Sequence, residues 1–140
     1  MLMIPMLVLW SATVFPAAPS PEPPPTGEVH LTRAWTADVG GARGTVVEGV
    51  HLAGDVVLVA DAAGGVTALE RADGSLRWFV QLGGPLSMPP SPGGGQLVLA
   101  DDTDLVVVDA ATGQRLMHGE LAAPLAASPV SDGDRIYLPL

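Results

Sequence analysis

The chain contains no cysteine. That excludes disulfides, thiolate zinc sites, a thiol nucleophile and a lipid-modified amino-terminal cysteine. Cationic side chains are scarce as well: six Lys and Arg stand against fifteen Asp and Glu, a formal net charge of −9. A nucleic-acid binder needs a basic stripe to displace counterions from phosphate; none is present, so nucleic acid is excluded as a partner. The same acidity disfavours anionic membrane surfaces. Sequence patterns that carry chemistry are equally missing. No Gly-x-Ser-x-Gly elbow occurs. The glycine-rich stretch GGARGT at 40–45 lacks the Gly-Lys-Ser/Thr ending that cradles phosphate and reads as a loop between strands. His30, His51 and His118 are scattered without metal-ligand spacing. The acidic DDTD at 101–104 offers oxygen ligands for calcium but has neither the Gly nor the distal Glu of a standard calcium loop, so it reads as a polar hairpin tip. No catalytic residue, cofactor or metal ligand is assigned.

What is present is apolar and turn-rich. Apolar residues make up 48% of the 140 positions, enough for a core. Seventeen Gly and fourteen Pro indicate many turns and short elements, at a level just below the roughly 25–30% that marks disordered chains. Residues 1–18, MLMIPMLVLWSATVFPAA, carry no charged side chain. They read as a signal peptide or membrane anchor, near the lower limit of about 17–25 residues for spanning a bilayer. Residues 19–33 include the run PSPEPPPTGE, an extended polyproline-like linker. This order points to an exported protein, periplasmic or extracellular, with membrane anchoring through residues 1–18.

The remainder, 34–140, repeats itself. WTADVG begins at Trp35, WFVQLG at Trp78 and MHGELA at Met117. GGPLSMPPSPGGGQLVLAD (83–101) aligns without a gap on AAPLAASPVSDGDRIYLPL (122–140), 39 residues later. DVVLVAD (55–61) aligns on GQLVLAD (95–101) at a spacing of 40. A period of about 40–45 with several strands per unit is that of a propeller blade. The strand content supports it. VVLVA (56–60), LVLA (97–100), LVVVD (105–109) and IYL (136–138) are short, Val-rich and bounded by Asp, Gly or Thr. They are apolar at consecutive positions, as expected of strands covered on both faces. Hairpin turns are expected near 62–65, 73–74, 102–104 and 112–113, and in the first, second and fourth of these Gly supplies positive φ. The predicted class is all-β: a partial β-propeller of two to three four-stranded blades.

Within the repeat, ALERADGSLRW (68–78) and VVDAATGQRLM (107–117) resemble the A-x-D-x-x-T-G-x-x-x-W motif of the quinoprotein-type β-propeller family. The first copy has Glu70 for Asp and Asp73 for Thr; the second has Val107 for Ala and Met117 for Trp. The resemblance implies structural roles. Ala68, Glu70, Asp73 and Gly74 are the first copy's structural motif residues, and in the second copy Asp109 with Thr112 and Gly113 would lock a turn. Trp78 and Met117 would pack between neighbouring blades. Family members commonly have six to eight blades, which implies that this chain is a fragment of a longer gene product. The alternative is closure by oligomerisation. The resemblance extends to the propeller subunit of the outer-membrane β-barrel assembly machinery and implies a non-catalytic binding or scaffold role, with protein partners unidentified. Alternatives are the extracellular sensor domain of a receptor kinase and part of a quinone-dependent dehydrogenase, which would bind pyrroloquinoline quinone and calcium through blades outside this sequence.

Overall fold

The computed structural model describes residues 32–39 and 45–140. The expected membrane segment 1–18, the linker as far as residue 31 and the glycine-rich residues 40–44 lie outside them. The chain divides into two units, Met1–Thr32 and Arg33–Leu140, and the architecture below is that of the second.

Among the described residues the regular structure is entirely β. Strands β1 (Val47–Ala53), β2 (Val56–Asp61), β3 (Gly65–Glu70) and β4 (Leu76–Gln81) form a four-stranded antiparallel meander. Strands β5 (Ser91–Gly93), β6 (Gln96–Ala100), β7 (Asp104–Asp109) and β8 (Arg115–Glu120) form a second. A third begins with β9 (Val130–Ser131) paired to β10 (Ile136–Tyr137). Each full sheet is one period of the repeat. The outermost pair of each slips register at the same place, between Ala68 and Leu69 in the first sheet and Val107 and Val108 in the second. The third and fourth strands thus bend alike in both copies.

The consecutive Val and Leu of the central strands have a packing cause. Along β2, Val56 and Leu58 point to one face, joined by Ala68, Trp78, Val66 and Val80 of β3 and β4. That face meets Leu97, Leu99, Val106 and Val108 of the second sheet, and together they form the main core. The opposite face of the second sheet buries Val98, Leu105 and Val107 against Leu125, with Ile136 of β10 packed alongside. A sheet with apolar cover on both sides cannot alternate polar and apolar residues, so these strands lack that pattern. Burying each such side chain is worth about 1.5–3 kcal/mol, and stacking sheet on sheet collects that gain on two faces at once.

Turn carboxylates lock the sheets at one end. The Asp61 carboxylate accepts from the backbone N–H of Ala63 (2.9 Å) and Gly65 (2.8 Å) between β2 and β3. Asp101, forty residues on, accepts from Thr103 (2.9 Å) and Asp104 (2.8 Å), and its second oxygen takes the N–H of Gly84 (3.1 Å). This last bond ties the loop leaving the first sheet to the turn of the second. Burial by itself would raise the Asp101 pKa, but these donors outweigh it and hold it below the ordinary carboxylate value.

Candidate functional site

The motif residues gather at the opposite end of the sheets, in the turns joining third and fourth strands. Both turns use one backbone scheme. In the first, Gly74 N–H donates to Glu70 O (2.8 Å), Glu70 N–H to Ser75 O (2.8 Å) and Arg71 N–H to Asp55 O (2.9 Å). In the second, Gly113 donates to Asp109 (2.8 Å), Asp109 to Gln114 (2.8 Å) and Ala110 to Gly95 (2.9 Å). The two glycines stand at φ +74° and +72°, a region open to Gly and strained for other L-residues.

The side chains that stabilise these turns differ between copies. Asp109 folds its carboxylate back over its own turn, accepting from Ala111 N–H (2.9 Å), Thr112 N–H (2.9 Å) and the Thr112 hydroxyl (3.1 Å). The Thr112 and Ala111 N–H groups hold its pKa below the ordinary carboxylate value. In the first copy Glu70 is one methylene longer, and its carboxylate turns outward to Arg77, with Nε–Oε1 at 2.5 Å and Nη2–Oε2 at 2.7 Å. Arg77 also grips Asp55 in the β1–β2 hairpin (2.8 Å), so one guanidinium joins two turns. Asp73, standing where the motif has Thr, accepts from the Ser75 hydroxyl (2.7 Å) and N–H (2.9 Å). Both departures in the first copy, Glu70 and Asp73, thus have a replacement contact within reach.

Between sheets, tryptophan seats on the next turn. Trp78, on β4 opposite Ala68, is only 6% exposed. Its indole N–H donates 2.9 Å to the carbonyl of Ala110, the residue after Asp109. Its ring lies against Gly113 so closely that a Cβ there would stand 2.7 Å from Trp78 Cγ. Trp35 repeats the arrangement one sheet earlier. Its indole donates 3.0 Å to Arg71 O, and a Cβ on Gly74 would stand 2.5 Å from its ring. The motif glycine is therefore required twice, by its own φ and by the indole above it.

Met117 departs from the expectation of a packed inter-blade side chain. It stands opposite Val107 as Trp78 stands opposite Ala68, yet 46% of it is exposed. The third sheet has only β9 and β10 among the described residues, so no turn of the motif lies over Met117. The DDTD stretch is a turn whose first carboxylate is occupied by backbone donors. No three or more His, Cys, Asp or Glu gather as metal ligands among the described residues. His118 pairs with Asp104 across β7 and β8 at 3.2 Å, far from His51 in sequence and sheet. Sequence reasoning missed Arg77, whose visible signal was an Arg seven residues after the out-of-place Glu70. It also missed that Trp35 seats on Gly74, 39 residues before Gly113.

These paired turns and tryptophan seats coincide with a family assignment. The family described as outer membrane protein assembly factor BamB matches residues 24–140. The chain belongs to that family. Comparison with curated proteins yields no match. Among solved structures, BamB from Moraxella catarrhalis is similar at 19% identity and a TM-score of 0.60, over 75% of this chain and 33% of that one. The chain thus spans about a third of the length of the BamB structure it matches, and the likeness shows the shared fold, a partial propeller. A europium-containing methanol dehydrogenase matches at 15% identity and a TM-score of 0.45, over 54% of this chain and 15% of that one.

Proposed function

We propose that the chain is a non-catalytic, protein-binding propeller scaffold that acts outside the cytoplasm and takes part in outer-membrane protein assembly, as its family's description states for BamB. The observation that carries this reading is the family match over residues 24–140. It is supported by the use the site makes of its polar groups. Asp109, Asp73, Glu70 and Arg77 are each engaged in holding a turn or joining two turns. Their chemistry is that of a rigid frame, which presents loops and strand edges to a partner. The uncharged segment 1–18 followed by a proline-rich linker supports export.

Two measurements test the two halves of the reading. Residues 1–33 fused to alkaline phosphatase, which folds only where disulfides form, should give phosphatase activity in cells; an inactive fusion would refute export. The exported full chain, crosslinked in a cell with an outer membrane, should be recovered with components of the assembly machinery. Recovery without them would refute the assembly role while leaving the fold untouched.

A further inference from the structure

Strand β1 departs from the repeat at its start. At the forty-residue spacing, Glu48, Gly49 and His51 stand where the second copy has Met88, Pro89 and Ser91. The third copy has Ala127, Ser128 and Val130 there. A frame that is built again without the carboxylate and the imidazole does not depend on them to fold. Strand β1 also slips register between Val47 and Gly49, whereas β5 pairs regularly along its three residues. Such a bulge re-aims the side chains beside it. A cavity of about 190 Å³ lies here, between β1 and the connection from β4 to β5. Glu48, His51 and Ser87 are its polar lining, and Ala60, Leu86, Met88 and Pro89 its apolar lining, with Gly49 between them. Its walls are fixed. Leu86 packs against the main core, and the Ser87 N–H (3.0 Å) and hydroxyl (3.3 Å) both donate to Ala100 O. On the other wall Gly49 stands opposite Ala60, and His51 opposite Leu58. A Cβ on Gly49 would stand 2.7 Å from Nε2 of His51, so the imidazole takes the room that glycine leaves. The ion pairs of the described residues, Arg77 with Asp55 and Glu70 and His118 with Asp104, include neither Glu48 nor His51.

We propose that this cavity receives an arginine side chain of a partner protein. The lining is rich in acceptors. The Glu48 carboxylate only accepts, the Ser87 hydroxyl has given its proton to Ala100, and a neutral His51 has one acceptor nitrogen. A guanidinium has five donors and no acceptor, and it lies flat against an imidazole ring. Its aliphatic stem matches Ala60, Leu86 and Pro89. The surrounding charge selects the same ligand. Glu48 adjoins Val47, which pairs with Asp61, and Ser87 binds the residue before Asp101. The cavity therefore stands at the sheet end that carries Asp61, Asp101, Asp102 and Asp104. Arg77, with its two carboxylate partners, stands at the other end. That field draws a cation in and turns an anionic side chain away. The inference rests on the reading of the chain as a protein-binding scaffold only for the source of the arginine; the cavity's own preference is tested without a partner.

The probe is the capped peptide acetyl-Gly-Arg-Gly-amide, titrated into the 140-residue chain at a concentration where light scattering shows a monomer. Nuclear magnetic resonance should show saturable shifts of the His51 ring protons and the Ala60 methyl, with a dissociation constant of about 1 mM, as befits one side chain. Citrulline in place of arginine keeps the shape without the charge and should weaken binding at least about tenfold, the worth of a hydrogen bond to a charged group. Lysine, a point charge without the planar fork, should bind about two- to tenfold more weakly than arginine. Glu48→Gln should weaken the arginine peptide at least about tenfold. Asp102→Asn removes the same charge from the same end outside the cavity and should change binding less than about twofold. Absence of saturable shifts at His51 and Ala60 overturns the proposal. So does equal binding of the citrulline peptide, or an equal loss from Glu48→Gln and Asp102→Asn, which would show diffuse charge attraction alone. None of these outcomes bears on whether the chain is recovered with the assembly machinery, so the two readings fail separately.

Discussion

At Gly113 two demands meet on one residue: φ is +72°, and a Cβ would stand 2.7 Å from Cγ of Trp78. Gly54 isolates the first demand, since its φ is +64° and nothing lies within 4 Å of an added Cβ. Gly54→Ala should cost about 1–2 kcal/mol, the left-handed penalty alone. Gly113→Ala adds about 1–3 kcal/mol of overpacking to that penalty. Urea midpoints compare the two, and equal losses would show that the indole gives way freely. Trp78→Ala should cost about 3–5 kcal/mol, the usual loss for a core aromatic, because it empties the seat and leaves the Ala110 carbonyl without its donor. Trp78→Phe should recover part of this through packing while still lacking the N–H.

At the scale of the element, the β3–β4 hairpin shows how one repeat tolerates departures from its motif. Glu70 cannot curl over its own turn as Asp109 does, and Arg77 takes up its carboxylate together with that of Asp55. Glu70 is the first cause, and Asp55 the second, of a shift that raises the already high pKa of Arg77. Arg77→Leu, which places at 77 the residue found at 116, should therefore destabilise the chain. The loss should shrink in about 1 M salt, where the Debye length is near 3 Å. Restoring the motif with Glu70→Asp and Asp73→Thr should make Arg77 dispensable, so that Arg77→Leu costs less in that background. A double-mutant cycle measures this coupling; strict additivity would mean that the two turns are stabilised independently.

Across the whole molecule, carboxylates hold turns in all three sheets. Asp55, Asp73, Asp101, Asp109 and Asp132 all have pKa values lowered from the ordinary 3.8. Between those lowered values and 3.8 the unfolded chain binds more protons than the folded one, so stability rises with pH through that window. Their contribution is complete above the ordinary value and is lost as pH falls through the folded values. The melting temperature should accordingly be insensitive to these groups above about pH 5 and fall on acidification below about pH 4. Asp109→Asn should make the acid limb shallower. At both ends of the stack, apolar side chains remain open, Val50 and Leu52 on the first sheet and Tyr137 and Leu138 beyond the second. Residues 34–140 should self-associate, with scattering mass rising with concentration. Salt should promote the association by screening the net charge of −9. A monomer of constant mass at all concentrations would contradict this.

The sequence by itself determined the class and the period. Short Val-rich runs between Asp and Gly punctuation specify strands and turns through local chemistry, and a spacing of about forty residues makes them repeat as sheets. It was less informative where strand formation is imposed by neighbours. Strand β5 is Ser91-Pro92-Gly93, a sequence with low intrinsic preference for a strand, and it pairs because β6 offers its edge. Strand β8, Arg115–Glu120, shows no alternation because both of its faces are exposed along most of its length. Tertiary structure alone decided which groups meet across the seams. The contacts of Trp35 with Gly74, Trp78 with Gly113 and Arg77 with Asp55 join residues 22 to 39 positions apart. No local pattern encodes them: the two indole contacts depend on how closely successive repeats stack, and the Arg77–Asp55 pair on how β4 and the β1–β2 hairpin are brought together within one sheet. The exposure of Met117 is tertiary in the same sense: among the described residues no turn of the motif lies over it, and its own side chain carries no record of that.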